Sequence, residues 1–260
     1  MVLPKFLKPH HVKLSNLIRI GPKTDGGYVL DKRIINKTKI LITCGLNDDW
    51  EFEKSFLQKK PNTKIIAFDH TVNRNFWVKR FAKDIVHFLL LKKLRISKIL
   101  DIFKFINYYL FFTKNRRHYI KKIVSNHRNN KEITITEILG NYKDVLLKVD
   151  IEGDEYKILN DIKKNSKKIN FLIIEFHNLQ KNLSKIKKFL KKLDLKVIHI
   201  HANNYGGVDK YNNPKVIELS LINTRKIKIK NIFSKRKYPI INLDYKNFKR
   251  RDDIKIKFNE

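Results

Sequence analysis

Short apolar runs that stop abruptly at polar residues constrain this chain more than any other feature of it. KILITCG (residues 39–45), TKIIAFDH (63–70), KDVLLKVD (143–150) and INFLIIEFH (169–177) are rich in β-branched residues, too short for typical helices, and do not alternate with polar positions. Between them lie segments with helical spacing: EFEKSFLQKK (51–60), EYKILNDIKKN (155–165) and LSKIKKFLKKL (183–193). A strand without alternation has to be buried on both faces. Such strands interleaved with helices predict an α/β fold, a mostly parallel sheet with helices on both faces. The last two runs, KVIHIHANN (196–204) and KVIELSLI (215–222), are joined by ANNYGGVDKYNNP, which has turn residues and no helical pattern. They are expected to form an antiparallel hairpin at the C-terminal side of the sheet.

No internal repeat or Ser/Gly linker divides the chain, so one domain over 1–260 is expected. A helical insertion or cap falls at about 74–130, and a basic C-terminal extension at about 226–260. In the insertion, Phe88, Leu89, Leu90, Ile96, Leu100, Phe103 and Ile106 are spaced to form one buried stripe, and HYIKKIVS (118–125) reads as a closing strand. Its apolar stretch 85–112 is broken by Lys92, Lys93, Arg95, Lys98, Asp101 and Lys104, so it should not span a bilayer, although peripheral membrane contact fits its composition. The N-terminal sequence has no apolar core of signal-peptide length. The single cysteine, Cys44, excludes an internal disulfide framework and makes the reducing cytoplasm the expected location. Lys and Arg number 58 against 25 acids, a formal net charge of +33. That balance suits an anionic partner such as a nucleic acid. The basic residues are spread along the whole chain, however, with abundant Ile, Asn and Phe, so compositional drift is the preferred reading.

In open α/β sheets ligands bind beyond the carboxyl ends of the strands. Here those ends are polar although the strand bodies are apolar. Gly45 follows a strand and precedes a helix, where its lack of a side chain lets the backbone approach a cofactor. Asp69 ends the next strand, a position from which an acid accepts ribose hydroxyls. The phosphate-binding G-x-G-x-x-G is incomplete: Asn47, Asp48 and Asp49 stand where further glycines would be, and acids there repel a pyrophosphate. A nucleoside cofactor without phosphate, S-adenosylmethionine, fits better, which favours methyl transfer over hydride transfer. No motif demands a metal.

LLKVDIEGDEYKIL (146–159) resembles the K-[IV]-D-[IV]-E-G-x-E-x-x-x-L motif of the FkbM-type S-adenosylmethionine-dependent methyltransferase family. RIGPKTDGGYVL (19–30), CGLNDDWEFEKSF, IIAFDHT, ITITEIL (133–139), IIEFHN, HIHANNYGG, IELSLI and the C-terminal YPIINLDYKNFKRRDDIKIKF are similar to its other segments in order, leaving out residues 74–117. The resemblance implies a Rossmann-like class I methyltransferase sheet and transfer of a methyl group, usually to a hydroxyl. It makes Asp150 and His177 the catalytic candidates, His177 as base and Asp150 orienting it or the acceptor. Gly45, Asn47, Asp69, Asp25, Gly26 and Gly27 become candidates for cofactor binding. Tyr28, Glu152, His201, Asn203 and Asn204 become candidates for binding a small-molecule or glycan acceptor. An RNA methyltransferase and a non-catalytic binding protein on the same scaffold are the alternatives. Two departures stand out: Thr43 replaces the acid found before the motif glycine in many methyltransferases, and the later loop glycines are absent.

Overall fold

The structure, a computed structural model, describes residues 2–90, 103–191 and 193–259, with the side chains of 87–90 left aside. Its strands are β1 (Val2–Leu3), β2 (Leu17–Ile20), β3 (Tyr28–Asp31), β4 (Ile40–Cys44), β5 (Lys64–Phe68), β6 (Arg116–Tyr119) and β7 (Lys122–Val124). They continue with β8 (Glu132–Thr134), β9 (Val145–Val149), β10 (Ile169–Phe176), β11 (Leu195–Ala202), β12 (Ile217–Asn223) and β13 (Lys257–Phe258). The helices are α1 (Arg33–Lys37), α2 (Glu51–Lys59), α3 (Arg74–Leu90), α4 (Lys104–Phe111), α5 (Ile135–Leu139), α6 (Glu155–Lys164) and α7 (Leu179–Leu190).

Seven strands make the central sheet, in the order β11-β12-β10-β9-β4-β5-β6. β10, β9, β4, β5 and β6 are mutually parallel, and β12 runs antiparallel to both β10 and β11. The non-alternating runs behave as their composition requires: β4, β9, β10 and β12 are buried at every position. Each fully buried Leu or Ile there contributes about 1.5–3 kcal/mol from loss of water contact. α6 buries Ile158, Leu159 and Ile162 at helical spacing and leaves its lysines outside, and α5 starts in a capping box in which Thr134 and Glu137 satisfy each other's backbone amides. β4 lies between β5 and β9, so successive crossovers leave it in opposite directions. The crevice that such a reversal opens lies beyond Cys44 and Val149.

The insertion packs through aromatic rings. Trp50 meets Trp77 of α3 and Tyr108 of α4 edge-on at 6.2 and 5.8 Å. α4 buries Tyr108 and Phe111, whereas Phe103 and Ile106 of the expected stripe are 49 % and 50 % exposed. The other members of that stripe fall outside the described side chains. Among the described residues no helix is long and apolar enough to cross a membrane. Beyond β12 the chain is largely irregular and returns along the sheet to pair β13 with β1.

Candidate active site

A cleft of about 350 Å³ opens at the carboxyl ends of β4, β5 and β9, a volume in the range of small-molecule sites. Of the residues singled out in the sequence, Asp25, Gly26, Tyr28, Gly45, Asn47, Asp69, Asp150 and Glu152 line it. Phe52, Phe68, Ile123, Asp49, Lys121 and Lys148 complete much of the wall. Both turns at its floor hold a residue in the left-handed region, Asn47 at φ 51° and Glu152 at φ 54°. At Gly45, φ is +86° and a Cβ would lie 1.6 Å from the Asp150 carbonyl oxygen, so the two strand ends can close only on a glycine. Gly27 serves the approach of a side chain instead. A Cβ there would collide with Pro22 and with the Arg19 guanidinium, which donates to the Pro22 and Thr24 carbonyls.

Asp69 is engaged by the protein itself. Oδ2 accepts from the amides of Leu46 and Asn47, both at 2.9 Å, and Oδ1 accepts from the amide and hydroxyl of Thr71 at 2.8 and 2.6 Å. Burial alone would raise its pKa, but these donors hold it below the usual carboxylate range. Asp69 therefore fixes the shape of the 45–47 loop, and a ribose would have to share its oxygens with that loop.

Asp150 stands at the end of β9. Oδ2 accepts from the Tyr28 hydroxyl at 3.4 Å, while Oδ1 is shielded from solvent and has no donor. Burial pushes its carboxyl up to about 6, against the pull of Lys148 and His177. Burial, and next to it the Asp150 charge, keeps the Tyr28 phenol protonated. Thr43 meets an acid of α2 behind the cleft. Glu53, wholly buried, accepts from the Thr43 hydroxyl at 2.5 Å, and its charge supports Lys148. Lys148 donates to the Gly45 carbonyl at 3.3 Å. Of the loop acids, Asp49 faces the cleft and Asp48 is paired with Arg80 and Lys104.

His177 lies behind this wall, not on it. Nε2 is 3.2 Å from Glu152 Oε2 and 3.7 Å from Glu175 Oε1, and Nδ1 is 3.5 Å from Glu155 Oε1. Burial would lower its pKa, but the Glu152 and Glu155 carboxylates hold it up at about 10, so the imidazole expected as a base carries its proton at neutral pH. Asn203 also lies behind the wall; its Nδ2 donates to Glu175 Oε1 at 3.0 Å and to Asp25 Oδ1 at 3.4 Å. Asn247 Nδ2 adds bonds to Asp25 and Glu218 at 2.8 and 2.7 Å.

His201 and Asn204, expected on the acceptor side, point instead into the C-terminal segment. Asn204 donates to the Phe248 and Arg251 carbonyls at 3.1 and 3.0 Å, and its side chain accepts from the Phe248 amide. His201 is 2 % exposed, between Glu218 and Asp253 at 3.3 and 3.2 Å. Burial opposes its charge, but Asp253 and Glu218 raise its pKa to about 10. The folded value lies above the unfolded one of about 6.5, so this stabilisation is complete below that pH and is lost as pH rises through about 10. Chemical unfolding followed from pH 7 to pH 10 should show falling stability. His201→Gln should cost about 3 kcal/mol at pH 7 and flatten the fall; an unchanged slope would contradict the assignment.

Lys148, Glu53, Glu175 and Asn247 were not singled out in the sequence. Lys148 and Glu175 carry a visible signal, a charge inside an otherwise apolar strand. Glu53 and Asn247 carry none. Among the described residues, donor atoms of Asp150, Glu175 and His177 also lie within 4.8 Å of one another, a grouping suited to a metal ion that no motif in the sequence foretells.

Comparison with known proteins gives the family. No curated protein matches the sequence. Among solved structures, the chain is similar to a Methanococcus jannaschii fibrillarin pre-rRNA processing protein at 10 % identity and TM-score 0.37, covering 72 % of this chain and 67 % of the other. A precorrin-6y C5,15-methyltransferase from Geobacter metallireducens gives 11 % and 0.35, over 74 % and 87 %. A variant of a 16S rRNA (adenine(1408)-N(1))-methyltransferase from Catenulisporales acidiphilia, with its cosubstrate SAM, gives 10 % and 0.36, over 80 % and 97 %. Likenesses at such TM-scores carry no argument. The methyltransferase FkbM domain matches residues 33–197, which run from α1 through all the parallel strands of the central sheet and both floor turns of the cleft. With that match over more than half its length, the chain belongs to the FkbM methyltransferase domain family.

Proposed function

We propose that the protein is an S-adenosylmethionine-dependent O-methyltransferase acting on a small hydroxylated acceptor, such as a sugar or glycan. The observation that carries this reading is Asp150: a carboxylate at the sheet's reversal point, facing the cleft, with one oxygen that no protein donor occupies. The cofactor fits the residues present. The loop held by Asp69 offers no cradle of glycines for a pyrophosphate, and Asp49 and Asp25 give the cleft a negative lining suited to the sulfonium and ammonium groups of the cofactor. Phe68 and Ile123 supply apolar wall for a flat base. When bound, S-adenosylmethionine supplies an electrophilic methyl group on a sulfonium. The protein's part is to position and to take up a proton. Asp150 receives the hydrogen bond of the acceptor hydroxyl, and its proton at transfer, a role that requires the shielded Oδ1 to turn toward the cleft. Tyr28 steadies the other carboxylate oxygen, and Lys148 ties the floor of the cleft to the Gly45 carbonyl.

Isothermal titration tests the first requirement. S-adenosylmethionine should bind, and Asp69→Ala should weaken binding about tenfold to a hundredfold, because two amides of the 45–47 loop and two donors of Thr71 lose their acceptor together. Absence of binding at millimolar cofactor would refute the reading.

A further inference from the structure

We infer that Asp150, Glu175 and His177 form a binding site for a divalent cation, set into the cleft wall behind Asp150. The inference deepens the methyl-transfer reading, and its statement about the acceptor rests on that reading.

Three observations point to it. First, the donors are gathered and varied: two carboxylates and an imidazole offer atoms within 4.8 Å of one another. His177 Nε2 and Glu175 Oε1 are 3.7 Å apart. Two ligands bonded to one ion at about 2.1 Å stand about 3 Å apart when adjacent and about 4.2 Å apart when opposite, so this pair can share an ion with little movement. Second, Asp150 Oδ1 is shut off from solvent and has no donor, an arrangement that is costly for a carboxylate unless a cation completes it. Third, Asp150 and His177 are already oriented from behind, as metal ligands are. The Tyr28 hydroxyl holds the other oxygen of Asp150 and Glu155 lies beside His177 Nδ1, while the Asn203 amide donates to Glu175 Oε1 itself and leaves that oxygen one lone pair for an ion.

The charge around the cluster is mostly acidic, with the buried Lys148 ammonium the cation that acts on both Asp150 and Glu175. Asp25, Glu152 and Glu218 add to the two ligand carboxylates, and Asn203 and Asn247 join them with neutral amides only. Glu152 closes on His177 Nε2, so an ion bound there displaces the Nε2 proton to solvent as well as the Glu152 carboxylate, whose side chain is 82 % exposed and can swing away or become a further ligand. A mixed nitrogen and oxygen set suits Mn2+ or a similar first-row ion better than a soft one. Three protein donors leave about three positions on a six-coordinate ion. The acceptor class that follows is a chelating one: a hydroxyl with a second oxygen on the neighbouring carbon, as in a vicinal diol or a hydroxy acid.

Electron paramagnetic resonance of Mn2+ titrated into the full chain tests this, alongside calorimetry with S-adenosylmethionine. About one Mn2+ per chain should bind. Glu175→Gln and Asp150→Asn should each weaken it at least tenfold, while Asp49→Asn, a cleft carboxylate outside the trio, should change it less than threefold. Circular dichroism of each variant identifies any that fails to fold, in which case His177→Gln replaces it. The inference is overturned if a protein that binds S-adenosylmethionine takes up no Mn2+ at millimolar concentration, or if Asp49→Asn weakens Mn2+ as much as the trio variants do. Mn2+ uptake with the expected variant pattern but no cofactor binding supports the ion site and removes the methyl-transfer reading instead.

Discussion

Asp150→Asn is expected to lower turnover by about a hundredfold to ten-thousandfold while S-adenosylmethionine binds within about threefold of the parent. The substitution keeps the shape of the side chain and its neighbour Tyr28. What it removes is the negative charge on Oδ1, the one oxygen of this carboxylate that the protein leaves without a donor. An amide there can neither accept a proton nor balance a cation as a carboxylate does. Transfer of labelled methyl from the cofactor to an extracted glycan pool gives the rate, and calorimetry gives the affinity. A fall in rate below about threefold would show that Asp150 does not serve the reaction. A matching loss of cofactor affinity would place it on the cofactor side instead.

Gly45→Ala should be the most damaging single methyl group that can be added to the sheet. The new Cβ would sit 1.6 Å from the Asp150 carbonyl oxygen and 2.6 Å from its carbon, on a backbone with φ +86°. Main chain on both sides has to move, because Asp150 N also donates to the Cys44 carbonyl at 2.8 Å. A cost of about 4 kcal/mol or more is expected, which for a chain of this size lowers Tm by about 8–16 °C. Gly153→Ala is the comparison. Gly153 has φ +104° but nothing within 4 Å of its Cβ position, so it should incur only the backbone strain of about 1–2 kcal/mol. If the two variants melted within about 2 °C of each other, the close approach of β4 and β9 would not be what the glycine serves.

The parts of this protein that could be read from its sequence are those where one physical demand dominates. β4, β5, β9 and β10 announce themselves because a strand covered on both faces tolerates hardly any polar residue. Their ends were legible for the same reason in reverse: Gly45, Asp69 and Asp150 break the apolar runs. β6 was harder, since RRHY at an edge has no apolar pattern to display. The direction of side chains near the cleft was harder still. His201 and Asn204 belong to the right strand end, but partners 52 and 44 residues away in sequence turn them toward the C-terminal segment. His177 was legible as a functional type of residue; its charge state was not, because that depends on Glu152 and Glu155 meeting it from another turn. Lys148 and Glu175 were hidden in plain view, as charges inside strands that otherwise look like core.

Asn247 holds Asp25, and Asn203 ties Asp25 to Glu175, so the acidic wall is assembled from segments at both extremities of the sequence as well as from the sheet. Both Asp25 and Asn247 lie outside the matched residues 33–197. The floor of the cleft is made by the sheet alone, whereas this wall also draws on an irregular stretch pinned to the core through Tyr238, Ile240 and Ile256. Loss of that anchoring would disturb Asp25 and its partners before it reached the strands.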